Sequence, residues 1–334
     1  MFFVTNYYEK SGYLQLFYTH CIFVPILAFV ISVIIPVYNE AGNIHKLYER
    51  LTKVMDSIAE SYELIFVNDG SIDDTLSIVK QYAHDDNTVK YLDFSRNFGH
   101  QIAVFAGMEH SRGDYVVIID ADLQDPPELI LDLYLKCKEG YDVVYAQREF
   151  RAGETYMKKT TAKYFYKVLK YFSDTEIPLD TGDFRIITRK VVDIVIRMPE
   201  YNKFLRGQIA WVGFNQTGVT YNRDSRYDGK SGYPYSKMMR FALDGLTAFS
   251  NTPLKVATYL GFAVSLVTFV VLVYTLYIKF IMGSAIQGWT STMIAILFLG
   301  GVQLVCIGII GEYLGRVLDN VKQRPLYLLK DKNI

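Results

Sequence analysis

From residue 31 onward the chain alternates short apolar runs with longer segments whose apolar positions recur every three or four residues. Val33-Ile-Ile-Pro-Val-Tyr-Asn-Glu40 is an apolar strand running into a turn, and an amphipathic helix follows through about Ser57. Glu63-Leu-Ile-Phe-Val-Asn-Asp-Gly70 repeats the pattern, and Ser71-Ile-Asp-Asp-Thr75 supplies residues that start a helix. Val89 to Phe94 is a third strand, followed by a helix over Arg96 to Glu109, and Val116 to Asp120 is a fourth. Strands alternating with helices at this spacing predict an α/β domain built on a mostly parallel sheet with helices on both faces. Ligands of such sheets sit at the carboxyl ends of the strands, where Asn39, Asp69 and Asp120 fall.

The pattern changes in the C-terminal third. Val256 to Ile278 and Thr292 to Ile310 are each apolar and long enough to cross a hydrocarbon core of about 30 Å. Their connector, Met282 to Trp289, carries no charge, whereas Lys237, Arg240 and Lys255 precede the first span and Arg316, Lys322 and Arg324 follow the second. The excess of basic residues predicts that both flanks face the cytoplasm, in a multi-pass protein of the inner (cytoplasmic) membrane. Glu312 pairs most simply with Arg316, one helical turn on. Between domain and spans, Tyr235 to Phe249 fits an interfacial helix. The chain divides into an apolar extension (1–30), a cytoplasmic domain (31–234), an interfacial region (235–253), a transmembrane hairpin (254–318) and a cytoplasmic tail (319–334). Leu14 to Val30 lacks a basic flank and runs straight into the first strand, so it reads as packed on the domain or the membrane surface rather than as a signal peptide.

Composition adds little but excludes much. With 334 residues, 51% of them hydrophobic, there is room for one large domain plus membrane segments. A formal net charge of zero gives no field that would attract nucleic acid. Cys21, Cys137 and Cys306 lie far apart, which argues against a disulfide framework or a structural zinc site.

The candidate chemistry centres on Asp120-Ala-Asp122. Two carboxylates at i and i+2 of an extended segment point the same way and can bind one hard cation together, whose remaining ligands a nucleotide diphosphate could supply. The alternative is a solvated turn, for which Asp125-Pro-Pro127 is good chemistry by itself. No Gly-x-Gly-x-x-Gly follows the first strand and no Gly-x-x-x-x-Gly-Lys occurs, so phosphates would be held by a metal and by side chains.

Four stretches in this order resemble glycosyltransferase family 2: Pro36-Val-Tyr-Asn-Glu40, Asn68-Asp-Gly-Ser-x-Asp-Asp-Thr75, Ser95-Arg-Asn-Phe-Gly-His-Gln101 and Asp120-Ala-Asp-Leu-Gln-Asp-Pro-Pro-Glu128. Thr181-Gly-Asp-Phe-Arg185, Gly311-Glu-Tyr-Leu-Gly-Arg316 and Arg324-Pro-Leu-Tyr327 narrow the resemblance to its polyprenyl-phosphate glycosyltransferases. It covers residues 31 to 328 and implies the GT-A fold. It also implies inverting transfer of a sugar, from a UDP-hexose by analogy with the bacterial relatives, to undecaprenyl phosphate. Pro36, Tyr38, Asn39, Glu40, Asn68, Asp69, Gln101 and Asp120 would line the nucleotide sugar, with Asp69 facing the base or ribose. Asp120, Asp122 and Gln124 would hold Mg or Mn, and Asp183 would occupy the position of the catalytic carboxylate. Asn68 departs from the family's Asp, which puts base selectivity in question.

Asp183 is either a general base or a group that orients the sugar or holds Arg185. A phosphate acceptor needs a base less than an alcohol does, because its second ionisation lies at about pH 6. Arg206 together with Arg223, Arg226, Lys230 and Ser231 would bind the acceptor phosphate. Gly232 stands where relatives carry Lys, and Lys230 either replaces that charge or belongs to the membrane-facing surface. Asp73 and Asp74 read as helix-start residues rather than ligands. Self-association through the spans is a further expectation. Three rivals fit less well. A phosphotransferase would carry its Asp-x-Asp on the first strand, a processive polysaccharide synthase would carry Gln-x-x-Arg-Trp where this chain has Gln208-Ile-Ala-Trp211, and a non-catalytic lipid-carrier accessory would have no use for the carboxylate pair.

Overall fold

The computed structural model describes residues 31–58, 61–148, 181–221, 252–281 and 288–334. The apolar extension, the interfacial region up to residue 251 and the Arg-rich stretch with Arg223, Arg226, Lys230 and Ser231 lie outside the described residues, as does Cys21.

The four strands expected from the apolar runs form in order: β1 (Ile31–Val37), β2 (Tyr62–Asn68), β3 (Val89–Phe94) and β4 (Tyr115–Ile118), separated by α1 (Ala41–Ile58), α2 (Thr75–Asp85) and α3 (His100–His110). After α4 (Leu129–Lys138) come β5 (Val143–Arg148), β6 (Thr181–Thr188), α5 (Arg189–Ile196), α6 (Leu205–Trp211) and β7 (Gln216–Tyr221). Two long helices, α7 (Thr252–Ile281) and α8 (Trp289–Lys322), precede the short strand β8 (Leu329–Lys332). The eight strands make one sheet in the order β7-β5-β6-β4-β1-β2-β3-β8. β1 pairs in parallel with both β2 and β4, β2 with β3, and β5 with β7, whereas β6 runs antiparallel to β4 and β5, and β8 antiparallel to β3.

Both faces of the central strands are buried, which is why they read as continuous apolar runs rather than alternating ones. Val33, Ile35 and Val37 face Ile44, Leu47 and Leu51 of α1 and Leu133 of α4 in one core; Ile34 of β1 joins Ala103, Val104 and Met108 of α3 in the other. The second contact is close. A Cβ added at Gly107 would stand 2.3 Å from Ile34 Cγ2, so only glycine lets α3 lie this near the sheet.

The structure corrects two expectations. The helix predicted from Arg96 begins at His100, because Gly99 takes φ +103° and the N–H groups of Phe98 and Gly99 are bound by Asp69. The segment read as a tail, 319–334, begins as the last turn of α8 and continues as a strand of the eight-stranded sheet.

α7 and α8 are 30 and 34 residues long, enough to exceed the hydrocarbon thickness at about 1.5 Å per residue. Leu254–Val271 and Ile294–Lys322 are apolar enough to cross a membrane, and Phe262, Leu266, Phe269, Leu304 and Ile307 of these helices are exposed. Glu312 and Arg316 pair at 3.2 Å as the spacing predicts.

Candidate active site

The strand order reverses between β1 and β4: the chain runs outward from β1 to β3, then returns to β1's other side. A crevice at the carboxyl ends of these two strands follows from that reversal. Asn39 and Asp120 flank it.

On the β1–β2 side, polar side chains are used to fix loops. Asn39 adopts φ +57°, accepts a hydrogen bond from Ile72 N–H through Oδ1 and donates its own N–H to Ser71 Oγ. Glu40 N–H donates to Thr75 Oγ1, and Glu40 Oε2 accepts from Asn43. Asp73 accepts from the first N–H groups of α1 and α2, at Ala41 and Thr75, which is the structural use the sequence implied. Pro36 is enclosed within β1, whereas Tyr38 is 47% exposed at its end.

Asn68 and Asp69 both turn inward. Asn68 donates through Nδ2 to Asp93 at 2.8 Å and accepts from Ser71 N–H at 3.2 Å. An Asp at 68 would set two buried carboxylates against one another, so the amide answers to Asp93 beside it. Asp69 is buried and accepts from Phe98 N–H at 2.6 Å and Gly99 N–H at 3.0 Å. Burial raises its pKa against the pull of these two bonds.

The β4–β6 side carries the charged groups. Ile118 pairs with Arg185 in antiparallel register, and continuing that register sets Asp120 opposite Asp183. Asp183 is buried and receives donors on both oxygens: Arg206 Nε on Oδ1 at 2.7 Å, and His100 Nε2 and Gln101 Nε2 on Oδ2, each at 3.1 Å. Gln101 Oε1 in turn accepts from Leu205 N–H, so one amide ties α3, β6 and α6 together. His100 Nε2 also lies 3.5 Å from Asp120 Oδ1. Partial loss of hydration opposes a charge on His100, whose side chain is still 42% exposed, but the bond to Asp183 and the charges of Asp120 and Asp183 outweigh it and raise its pKa to about 9. Burial raises Asp120 to about 6, whereas Asp183 is held well below the usual range because Arg206 and His100 more than offset its burial. Arg185 is buried and bonds the backbone carbonyls of Gly182 and Asp183, not the Asp183 carboxylate.

Beyond Asp120 the chain turns sharply. Leu123, buried, has φ +58°, a conformation costly for a residue with a Cβ. Asp122 Oδ1 accepts from Gln124 N–H across this turn, and the buried Asp125 accepts a short hydrogen bond from Tyr221 Oη. The last contact fixes the loop to the end of β7, just before the Arg-rich stretch. Asp120 Oδ1 is buried and makes no hydrogen bond, its charged neighbour being His100 Nε2 at 3.5 Å, so it has coordinating capacity left for a cation. Among the described residues no three His, Cys, Asp or Glu converge on a point that could hold an ion. A cation here would be completed by substrate phosphates and water, the usual arrangement for Mg. The residues therefore fit a hard divalent ion.

Of the predicted residues, the structure brings together Gln101, Asp120, Asp183 and Arg206 directly, with Asp122 and Gln124 on the adjoining turn. His100, absent from the predicted set, is the group that bridges the two carboxylates. It stands in Ser95-Arg-Asn-Phe-Gly-His-Gln101, between the end of β3 and the first turn of α3, and its place in that stretch was the available signal.

Residues 32–195 match glycosyl transferase family 2 and residues 252–317 the GtrB C-terminal hairpin. The chain is 50% identical over 299 residues to the uncharacterized glycosyltransferase YkcC of Bacillus subtilis (strain 168), covering 90% of this chain and 93% of that protein. It is 40% identical over 300 residues to the SfII prophage-derived bactoprenol glucosyl transferase of Shigella flexneri, covering 90% and 97%. It shares 40% identity over 302 residues with the bactoprenol glucosyl transferase of Shigella phage SfX, covering 90% and 99%.

Proposed function

Because the chain belongs to glycosyltransferase family 2 and carries a GtrB-type C-terminal hairpin, we propose that it transfers a hexosyl group from a nucleotide sugar to a polyprenyl phosphate at the cytoplasmic face of a membrane. Glucose is the first sugar to test, since relatives at 40% identity are named bactoprenol glucosyl transferases. The observation that carries the reading is the meeting of Asp120, Asp122 and the Asp183–His100–Gln101–Arg206 network at one end of the sheet.

Asp120 and Asp122, with Gln124 beside them, would hold Mg or Mn against the donor diphosphate. When bound, the ion supplies Lewis-acid stabilisation of the departing nucleoside diphosphate. Asp183 is assigned an orienting role. Both its oxygens are occupied by donors, and a carboxylate held so strongly anionic is a weak base near neutral pH. The acceptor's own phosphate oxygen, largely dianionic above about pH 6, serves as nucleophile and attacks the anomeric carbon opposite the leaving diphosphate, inverting it. Arg206, fixed by Asp183, brings positive charge toward that phosphate; Arg223, Arg226, Lys230 and Ser231 are assigned to the same task on sequence grounds.

Topology supports the membrane arrangement. β8 follows the two apolar helices yet pairs with β3, so the chain returns to the side from which it left and crosses an even number of times between Tyr221 and Leu329. The basic flanks assign that side to the cytoplasm. The test is a screen of nucleotide sugars with undecaprenyl phosphate and Mn, the lipid product being detected by mass. Failure of every donor with correctly inserted protein would overturn the proposal.

A further inference from the structure

The segment Arg324-Pro-Leu-Tyr327 has no part in the chemistry above, yet its tyrosine is among the most engaged side chains of the C-terminal region. The Tyr327 ring stacks on Phe94 at the end of β3, with centroids 5.1 Å apart and planes inclined by 20°. Its hydroxyl donates to Glu109 Oε2 at 2.5 Å, in the last turn of α3, and lies 3.4 Å from His110 Nδ1. The next residues continue the hold. Leu328 C=O accepts from Ser95 N–H, β8 pairs with β3, and Asp331 binds Lys80 at 2.5 Å and Tyr91 Oη at 3.0 Å.

Everything grasped by this segment leads to the site. α3 is a single 11-residue helix, with Glu109 and His110 at one end and His100 and Gln101 at the other. Its close packing on Ile34 at Gly107 makes it a stiff connection between those two ends. Phe94 ends the strand whose continuation, Ser95 to Asn97, lies on Gly70, where an added Cβ would meet Arg96 C at 2.6 Å. That continuation ends at Phe98 and Gly99, whose N–H groups Asp69 binds.

We propose that Tyr327 is a positioning residue: by fixing β3 and the C-terminal end of α3, it sets His100 and Gln101 at the distances from Asp183 that transfer requires. The proposal rests on the transferase reading for its activity arm, and its second arm needs no substrate. In full-length protein in lipid nanodiscs, Tyr327→Ala is expected to lower kcat by about 10- to 100-fold with the donor KM changed less than about threefold, the cost of a displacement near 1 Å. Tyr327→Phe, which keeps the stack and loses the Glu109 bond, falls between. Val54→Ala, a cavity in the opposite core, serves as a control that lowers the melting temperature and leaves kcat per folded molecule unchanged.

Hydrogen exchange supplies the independent arm. The amides of residues 100–103 should exchange faster in Tyr327→Phe and Tyr327→Ala than in the wild type, in nanodiscs free of donor, metal and polyprenyl phosphate. The idea is overturned if inserted Tyr327→Ala keeps kcat within about twofold of wild type, if Val54→Ala loses kcat equally, or if exchange at residues 100–103 does not change. Should Tyr327→Ala fail to fold, Tyr327→Phe decides by the same two readouts.

Discussion

Replacing Asp183 with asparagine keeps the side chain's shape and withdraws the charge that Arg206 and His100 face. A hydrogen bond to a charged group contributes about 1.5–3 kcal/mol. Two such bonds are at stake, but the Arg206 side chain is 27% exposed and that of His100 42%, so solvent screens much of each. About 2 kcal/mol of stability is then lost, which for a domain of this size lowers the melting temperature by about 4–8 °C. Turnover should fall further than stability does, by about 100-fold, because the Arg206 head is no longer held in place. The donor KM should hardly change, since Asp120 and Asp122 remain. The assay is formation of lipid-linked sugar across pH in purified, inserted protein, alongside thermal unfolding. Withdrawing the Asp183 charge removes a main support of the raised His100 pKa, so that pKa should fall and the residual activity should vary with pH differently from the wild type. Recovery of Asp183→Asn turnover on adding imidazole or formate would mean that a base had been removed, and would refute the orienting role.

Other perturbations probe separate parts of the site. Asp122→Asn should abolish turnover at the Mn concentration that saturates the wild type, and chelation with EDTA should stop the wild type until Mn or Mg is restored. Tyr221→Phe removes a donor from the buried Asp125 and should cost about 1–3 kcal/mol, read as a lower urea midpoint with unchanged slope. Asp86 accepts from Thr88 N–H, Thr88 Oγ1 and Tyr48 Oη, which together outweigh its partial burial and lower its pKa. Its contribution is therefore complete above the unfolded value of about 3.9 and fades as pH falls through the lower folded value. Asp86→Asn should be about 1 kcal/mol less stable than wild type at pH 7, and the gap should narrow below about pH 4; a gap independent of pH would show that the carboxylate's charge is not involved.

The central strands were legible because burial on both faces leaves an apolar run that nothing else in the chain imitates. β8 left no such trace. Leu329-Lys-Asp-Lys332 has one apolar residue, and what holds it is backbone pairing with β3 and the Lys80–Asp331 pair, neither of which has a hydrophobic period. The carboxylates of the site were found because strand ends are predictable places. Their partners were not, because His100 meets Asp183 across 83 positions of chain and the reason for an amide at Asn68 is Asp93, a strand away. The start of α3 was misplaced for the same kind of reason. A helix from Arg96 is overruled by Gly99, at φ +103°, and by a carboxylate at Asp69 that takes up the N–H groups of Phe98 and Gly99.

The placement of β8 also has a consequence for biogenesis. A ribosome delivers β1 to β7 before either apolar helix and β8 only after both, so β3 is an open sheet edge while the hairpin enters the bilayer. An open edge invites pairing with other chains. A chain that crossed the membrane an odd number of times between β7 and β8 would carry β8 to the far side, leaving the β3 edge open and α3 without that grip. Completion of the sheet thus requires the two apolar helices to return β8 to the side on which β3 lies.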